Sequence, residues 1–231
     1  MKIVALGDTH GRVLWEEIVK KNKDADKIIF IGDYFDTHYD ITTDQQIENF
    51  TKILEFKKNN MEQVVLLLGN HDFHYLKGAG EKYSGHDTFR ALDINIVLQP
   101  AVDSGLIQMC FKHDKYVFTH AGVTKTWCLR NGIKTNDLEK EINDKFTTEL
   151  DSFCFAYGQN MSRTGNDVTQ SPIWVRIPSL FADAIDDITY VIGHTTQESI
   201  VITDKIIAID TIGTSGEYLV IENNVPTPEK L

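Results

Sequence analysis

No stretch of this sequence is apolar for the roughly 20 residues that crossing a bilayer requires, and none shows the basic-then-apolar pattern of a leader. A water-soluble chain in the cytoplasm is therefore the expectation, with residues 3–6 reading as the first strand of the fold. Cysteine is scarce as well. Cys110, Cys128 and Cys154 are odd in number, far apart and without CxxC spacing, which argues against a disulfide framework or a thiolate metal site and for buried, reduced thiols. Basic charge is short: 23 Lys and Arg stand against 34 Asp and Glu, for a net charge of −11. An extended nucleic-acid or anionic-membrane surface needs clustered cations and is not expected. A small phosphate-bearing substrate stays open, because a local metal site reverses the field where it acts.

What is present is an ordinary globular balance, 42% hydrophobic and 25% charged over 231 residues. That suits one domain, 1–231, with an irregular, aromatic insertion at about 124–187. Short β-branched runs at 3–6, 28–31, 64–68, 116–119 and 190–192 read as strands buried on both faces. Apolar residues at helical spacing mark 13–21, 44–58 and 137–150. Alternating strands and helices predict parallel βαβ units, and short runs at 200–202, 206–209 and 218–221 predict antiparallel pairing. The sum is a mixed α/β sandwich. Residues 73–93 read as a loop or short cap, with closure over a site left open, and 223–231 as a loose tail.

Each of the five main strands ends on metal-type donors. Gly7-Asp8-Thr9-His10 follows the first and Gly32-Asp33-Tyr34-Phe35-Asp36 the second. Gly69-Asn70-His71-Asp72, His120-Ala121-Gly122 and Gly193-His194 follow the others. Parallel strands bring such ends to one rim. Carboxylate, imidazole and amide donors without thiolate suit Mn, Fe or Zn better than Ca or Mg. Asp8 and His10 can address one ion, Asn70, His120 and His194 another, with Asp33 between them. Two ions sharing a water would acidify it and clamp the attacking and leaving oxygens.

The set resembles the calcineurin-like metallophosphoesterase superfamily, whose signature runs GDxH, GDxxD, GNH(D/E), an isolated His and GH. The resemblance implies a four-layer αββα sandwich with mixed sheets and a dinuclear centre. It assigns Asp8, His10 and Asp33 to the first metal and Asp33, Asn70, His120 and His194 to the second. Gly193-His194-Thr195-Thr196 lacks the final His of the common GHxH ending, and Thr37 stands where eukaryotic Ser/Thr phosphatases have a phosphate-binding arginine. Both departures resemble the bacterial and phage phosphoprotein-phosphatase branch, near the symmetrical diadenosine tetraphosphatases. Its implied chemistry is phosphate-monoester hydrolysis by a metal-bridging hydroxide, with His71 as general acid and Asp36 orienting it.

A planar cation is needed for the phosphoryl oxygens. Arg176, in a Trp-x-Arg segment like that of bacterial relatives, is the first candidate and Arg12 the second. Asp72 is expected to orient neighbours rather than bind metal. His38 and His74 either line the pocket or face solvent, while His86 and His113 read as structural. Trp127, Tyr157 and Trp174 either stack on an aromatic leaving group or pack the core. Phosphorylated proteins, small phosphate esters and nucleotides are the expected partners. Dinucleoside polyphosphate hydrolysis is the alternative enzyme activity, and a degenerate binding or scaffold module the alternative outside enzymes.

Overall fold

Alternation along the first strand, β1 (Lys2–Leu6), sorts its side chains into two cores: Ile3 and Ala5 enter one apolar cluster, Val4 and Leu6 the other. The computed structural model describes residues 1–37, 40–80, 82–158 and 160–231, and there the same parity recurs. α1 (Trp15–Lys21) leads to β2 (Lys27–Phe30), α2 (Thr43–Asn59) to β3 (Val64–Leu67), and α3 (Asn70–Phe73) and α4 (Ala91–Asp103) to β4 (Ile107–Gln108). β1 to β4 are parallel neighbours. A capping box between Thr42 and Gln45 starts α2, satisfying backbone donors that a helix end otherwise leaves open.

The second half builds the other sheet. β5 (Phe111–His113), β6 (Tyr116–Phe118), β7 (Thr189–Ile192), β8 (Val201–Ile202) and β9 (Ile206–Ala208) line up in the order β5-β6-β7-β9-β8. Between β6 and β7 run α5 (Lys125–Arg130), α6 (Leu138–Thr148) and α7 (Ile177–Ala182). β10 (Glu217–Glu222) then returns to pair antiparallel with β1, and β11 (Val225–Lys230) closes that edge.

Ile3, Ala5, Ile29, Val65 and Leu67 of the first sheet meet Tyr116, Phe118, Val191 and Ile207 of the second in a single dry layer. The larger of these side chains contribute about 1.5–3 kcal/mol each by leaving water. The outer faces carry the helices. Val4, Phe30 and Leu66 share a cluster with Ile18, Phe50 and Leu98, and Tyr190 and Ile192 with Trp127, Ile142 and Phe146. The result is helix, sheet, sheet, helix, as expected.

Three local expectations need correction. Residues 223–231 are not a loose tail, since β11 pairs with β10 along Val225–Lys230. The segment read as a loop up to residue 93 runs into α4, which begins at Ala91 and buries Ile94, Leu98 and Ala101. The insertion is more helical than expected, with α5 and α7 beside α6.

Candidate active site

The C-terminal ends of β1, β2, β3, β6 and β7 converge, and their donors lock to one another. The His10 amide donates to the Asp33 carbonyl at 2.8 Å, and the Gly193 amide to the His120 carbonyl at 2.9 Å. Asp8, Asp33, Asn70 and His120 are all buried, at 2% exposure or less. The turns require unusual backbone: φ is +45° at His10, +52° at Asp33, +60° at Asp36 and +62° at His194. Non-glycine residues hold such angles at a cost of about 1–3 kcal/mol each, and they gather where surrounding structure fixes a site. Two glycines are needed for a different reason. A Cβ on Gly69 would sit 2.0 Å from Asp33 Oδ1, and one on Gly193 would sit 2.0 Å from Asp8 Oδ1.

Histidine tautomers follow from backbone partners. A carbonyl only accepts, so the nitrogen beside it carries the proton. His10 Nδ1–H donates to Phe35 O at 2.7 Å, His120 Nδ1–H to Ile31 O at 3.0 Å, and His194 Nε2–H to Trp174 O at 3.2 Å. The opposite nitrogens then present lone pairs inward. His120 Nε2 lies 2.9 Å and His194 Nδ1 2.8 Å from the same Asn70 Oδ1, and His120 Nε2 also lies 3.4 Å from Asp33 Oδ2. Acceptors facing acceptors at these distances call for a cation. Ligating histidines are held in this way, one nitrogen on the metal and the other on a carbonyl. Ligand-type atoms of Asp8, Asp33 and His120 all lie within 4.8 Å of one another. The donor set fits metal ions.

The electrostatics agree. Burial, with Asp210 and Asp33 close by, holds Asp8 well above the usual carboxylate range. Burial also acts to raise Asp33, but positive charge beside it, that of the His120, His71 and His10 rings when protonated, carries it well below that range. Burial and the neighbouring Arg176 push His194 well down, so its imidazole is neutral. Asp72 does what was expected of it: its carboxylate accepts from the amides of Asp33 at 2.8 Å, Tyr34 at 2.7 Å and Gly69 at 3.0 Å, tying two of the turns together.

His71 and Asp36 meet beside this cluster. His71 Nδ1 is 3.0 Å from Asp36 Oδ2, and its ring meets that of His10 edge-on at 5.4 Å between centres. Burial opposes charge on His71, but Asp33 and the hydrogen bond to Asp36 raise it to about 9. Two further residues hold Asp36. Tyr75 donates its hydroxyl to Oδ1 at 2.5 Å, and His74 Nε2 approaches Oδ2 to 2.6 Å, too bent for an aligned hydrogen bond. The Tyr83 amide donates to His74 Nδ1 at 3.2 Å, so the His74 proton sits on Nε2, facing Asp36. His74 is thus neither solvent-facing nor a wall of the pocket, and its side chain is fully buried. Its place three residues after His71, one helical turn on, was the available signal.

Asp210 is the other residue that sequence reasoning passed over. It follows the buried run through Ile209, is 6% exposed, accepts from Thr196 Oγ1 at 2.7 Å and bears on Asp8. The strand-end rule that found the other donors applies to it too.

Arg176 lies at the rim. Its Nη1 donates to His194 O at 3.0 Å and Thr195 Oγ1 at 3.2 Å, and its Nε to Thr164 O at 2.9 Å. Arg12 donates instead to Thr9 O at 3.1 Å and borders a separate cavity of about 590 Å³ between α1 and α2. Trp127 is core, at 2% exposure, whereas Tyr157 and Trp174 line a cavity beside Arg176. His86 stacks on Tyr75 at 4.8 Å, and His113 lies in β5. His38 lies outside the described residues.

The family model for calcineurin-like phosphoesterases matches residues 1–201, which spans every strand end named above. The chain belongs to that family. Calcineurin-like phosphoesterases are enzymes that depend on two metal ions and act on phosphate esters or nucleotides. A symmetrical bis(5′-nucleosyl)-tetraphosphatase of Marinomonas sp. (strain MWYL1) is 27% identical over 181 residues, covering 73% of this chain and 61% of that protein. This chain therefore spans less than two thirds of that relative's length. Among solved structures, a cold-active protein tyrosine phosphatase shares the fold, with a TM-score of 0.61 at 22% identity over 100% of this chain and 78% of its own. No helix among the described residues is long and apolar enough to cross a membrane.

Proposed function

We propose that the chain hydrolyses phosphate monoesters, of proteins or of small molecules, with His71 as the acid that protonates the leaving alkoxide. The observation that carries this reading is the His71–Asp36 pair, 3.0 Å apart, fixed beside the converging lone pairs of the rim. Asp8, His10 and Asp33 would hold one ion and Asp33, Asn70, His120 and His194 a second, manganese in vitro, with iron or zinc equally suited to the donors. When bound, such ions supply Lewis acidity that acidifies water and offsets phosphoryl charge.

The remaining work falls to side chains. With Nδ1 committed to Asp36, whose carboxylate favours the charged imidazole, His71 keeps its second nitrogen for the substrate. Asp36 is in turn held by the Tyr75 hydroxyl, with the His74 ring packed beside it. Arg176 is pinned through Nε and Nη1, which turns its planar guanidinium into a rigid donor for phosphoryl oxygens. Three free thiols, two of them buried, favour a reducing compartment such as the cytoplasm.

A second reading, hydrolysis of dinucleoside polyphosphates, is favoured by the likeness to the Marinomonas enzyme and by the size of the cavity next to Arg176. Two experiments separate these. His71→Asn should slow an alkyl phosphate far more than p-nitrophenyl phosphate, whose leaving group needs no proton; equal losses would remove His71 as the acid. Diadenosine tetraphosphate should be compared with a phosphopeptide panel on the manganese-loaded protein. A preference of about a hundredfold for the dinucleotide, some 2.7 kcal/mol in the barrier, would replace the first reading with the second.

A further inference from the structure

We propose that the cavity of about 980 Å³ next to Arg176 is a leaving-group subsite, and that it selects phosphate esters whose leaving group carries a flat aromatic ring. The proposal rests on the phosphoesterase reading for its direction, since Arg176 marks the end at which the phosphoryl group would sit. Three features of the cavity carry it.

The first is its wall. Trp174 meets Tyr83 at 4.3 Å and 72°, and Phe155 at 4.9 Å and 79°, so three rings stand edge to face around one side. Phe155 in turn meets Tyr157 at 5.5 Å. Such an arrangement gives an incoming ring both faces and edges to pack on. At the mouth, Tyr157 and Met161 are 54% and 72% exposed, an apolar surface left open to water.

The second is charge. The chain carries 34 acidic residues and a net charge of −11. Yet the described lining of this cavity includes Lys82, Arg163 and Arg176 and no acidic residue at all. The arrangement suits an aromatic group attached to phosphate, with a second negative group welcome near Lys82 or Arg163.

The third is continuity with the rim. Trp174 passes its carbonyl to His194 Nε2 at 3.2 Å, and its ring stands edge-on to the His194 ring at 5.7 Å. Arg176 bonds the His194 carbonyl and also lines the cavity. Tyr83 contributes its ring to the wall and its amide to His74, which faces Asp36. A phosphoryl group on Arg176 would have its ester oxygen near His71 and its leaving group in the cavity. At this volume the cavity also holds a nucleoside, which is larger than a phenol.

The test uses the full chain as wild type, Tyr157→Ala and Tyr83→Leu, with two readouts. The first is kcat/KM on phenyl phosphate and 5′-AMP relative to glycerol 2-phosphate, an alkyl ester. The second is equilibrium binding of 5′-AMP, phosphotyrosine and inorganic phosphate, which needs no turnover. Expected are a wild-type preference for the aromatic esters of about tenfold or more, the scale of one stacked ring, and a fall of similar size in that ratio in either variant. Tighter binding of 5′-AMP than of phosphotyrosine assigns a nucleoside to the cavity, and the reverse order assigns a phenol. The proposal is overturned if glycerol 2-phosphate is used as well as the aromatic esters, or if both variants keep the wild-type ratio. A wild type that binds the aromatic ligands selectively yet hydrolyses no ester supports the subsite and rejects the proposed reaction.

Discussion

The donor rim and the aromatic cavity touch at Trp174 and Arg176, yet they are built by different means. Every rim donor sits within a few residues of a strand end in one of two packed sheets, and backbone partners fix its orientation: Phe35 O for His10, Ile31 O for His120, Trp174 O for His194. Neither glycine nor carboxylate can be exchanged there without a collision or an unpaired charge. The cavity draws its walls from Lys82, Tyr83 and Ser84 and from Phe155, Tyr157, Met161, Arg163 and Thr164, where Tyr83, Phe155 and Tyr157 meet neighbouring rings and stand partly in water. On the readings proposed above, the reaction falls to the strand ends of the packed sheets and the choice of substrate to loop residues. The two regions should accordingly fail differently when altered.

The largest effect is expected at Asp33, which both proposed ion sites would share. Asp33→Asn should cost activity on the order of 10³-fold or more on every ester alike, because charge stabilisation by ions is worth several kcal/mol; a steady-state survey over alkyl and aryl esters checks this, and a loss confined to one ester class would break the contrast with the cavity. Next comes His71→Asn, with about 10²-fold lost on an alkyl ester and little on p-nitrophenyl phosphate, read from paired kcat values. Asp72→Asn touches no substrate in this account, but its carboxylate gathers four backbone amides of the rim. It should weaken metal binding by about tenfold, seen by calorimetric titration with Mn²⁺. Smallest in its effect on activity is Trp127→Ala. That side chain is 2% exposed in the core beneath α5, so the change should lower unfolding free energy by about 3–5 kcal/mol while activity per folded molecule stays near wild type.

The rim was legible because buried parallel strands are apolar throughout, so the first polar residue after each run declares itself. The same logic reached Asp72 as an orienting group. It also applied to Asp210, which closes the run through Ile209 but stands outside the family's motif, and motif matching stopped short of it. β11 was hidden by Pro226 and Pro228, which read as strand breakers. They are tolerated because β11 is an edge strand and both prolines share one side of its register, opposite Ile221 and Leu219. His74 was ambiguous by composition, since a histidine one turn after His71 suits a pocket or a surface equally. What decided it was the amide of Tyr83, nine residues on, and no local pattern carries that contact. The cavity was legible only as a choice for Trp127, Tyr157 and Trp174 between stacking and core; the fold buries both tryptophans in the core cluster and leaves Tyr157 54% exposed.

The central claim is that Asp33 stands between two ions. Anomalous scattering from crystals of the manganese-loaded protein tests it most directly. Expected are two peaks about 3.5–4 Å apart, one against Asp8, His10 and Asp33, the other against Asp33, Asn70, His120 and His194. Asp36, His71 and His74 also bring ligand-type atoms within 4.8 Å of one another. A peak there with none at Asp33 would contradict the account, as it would leave His71 a ligand and no longer the acid.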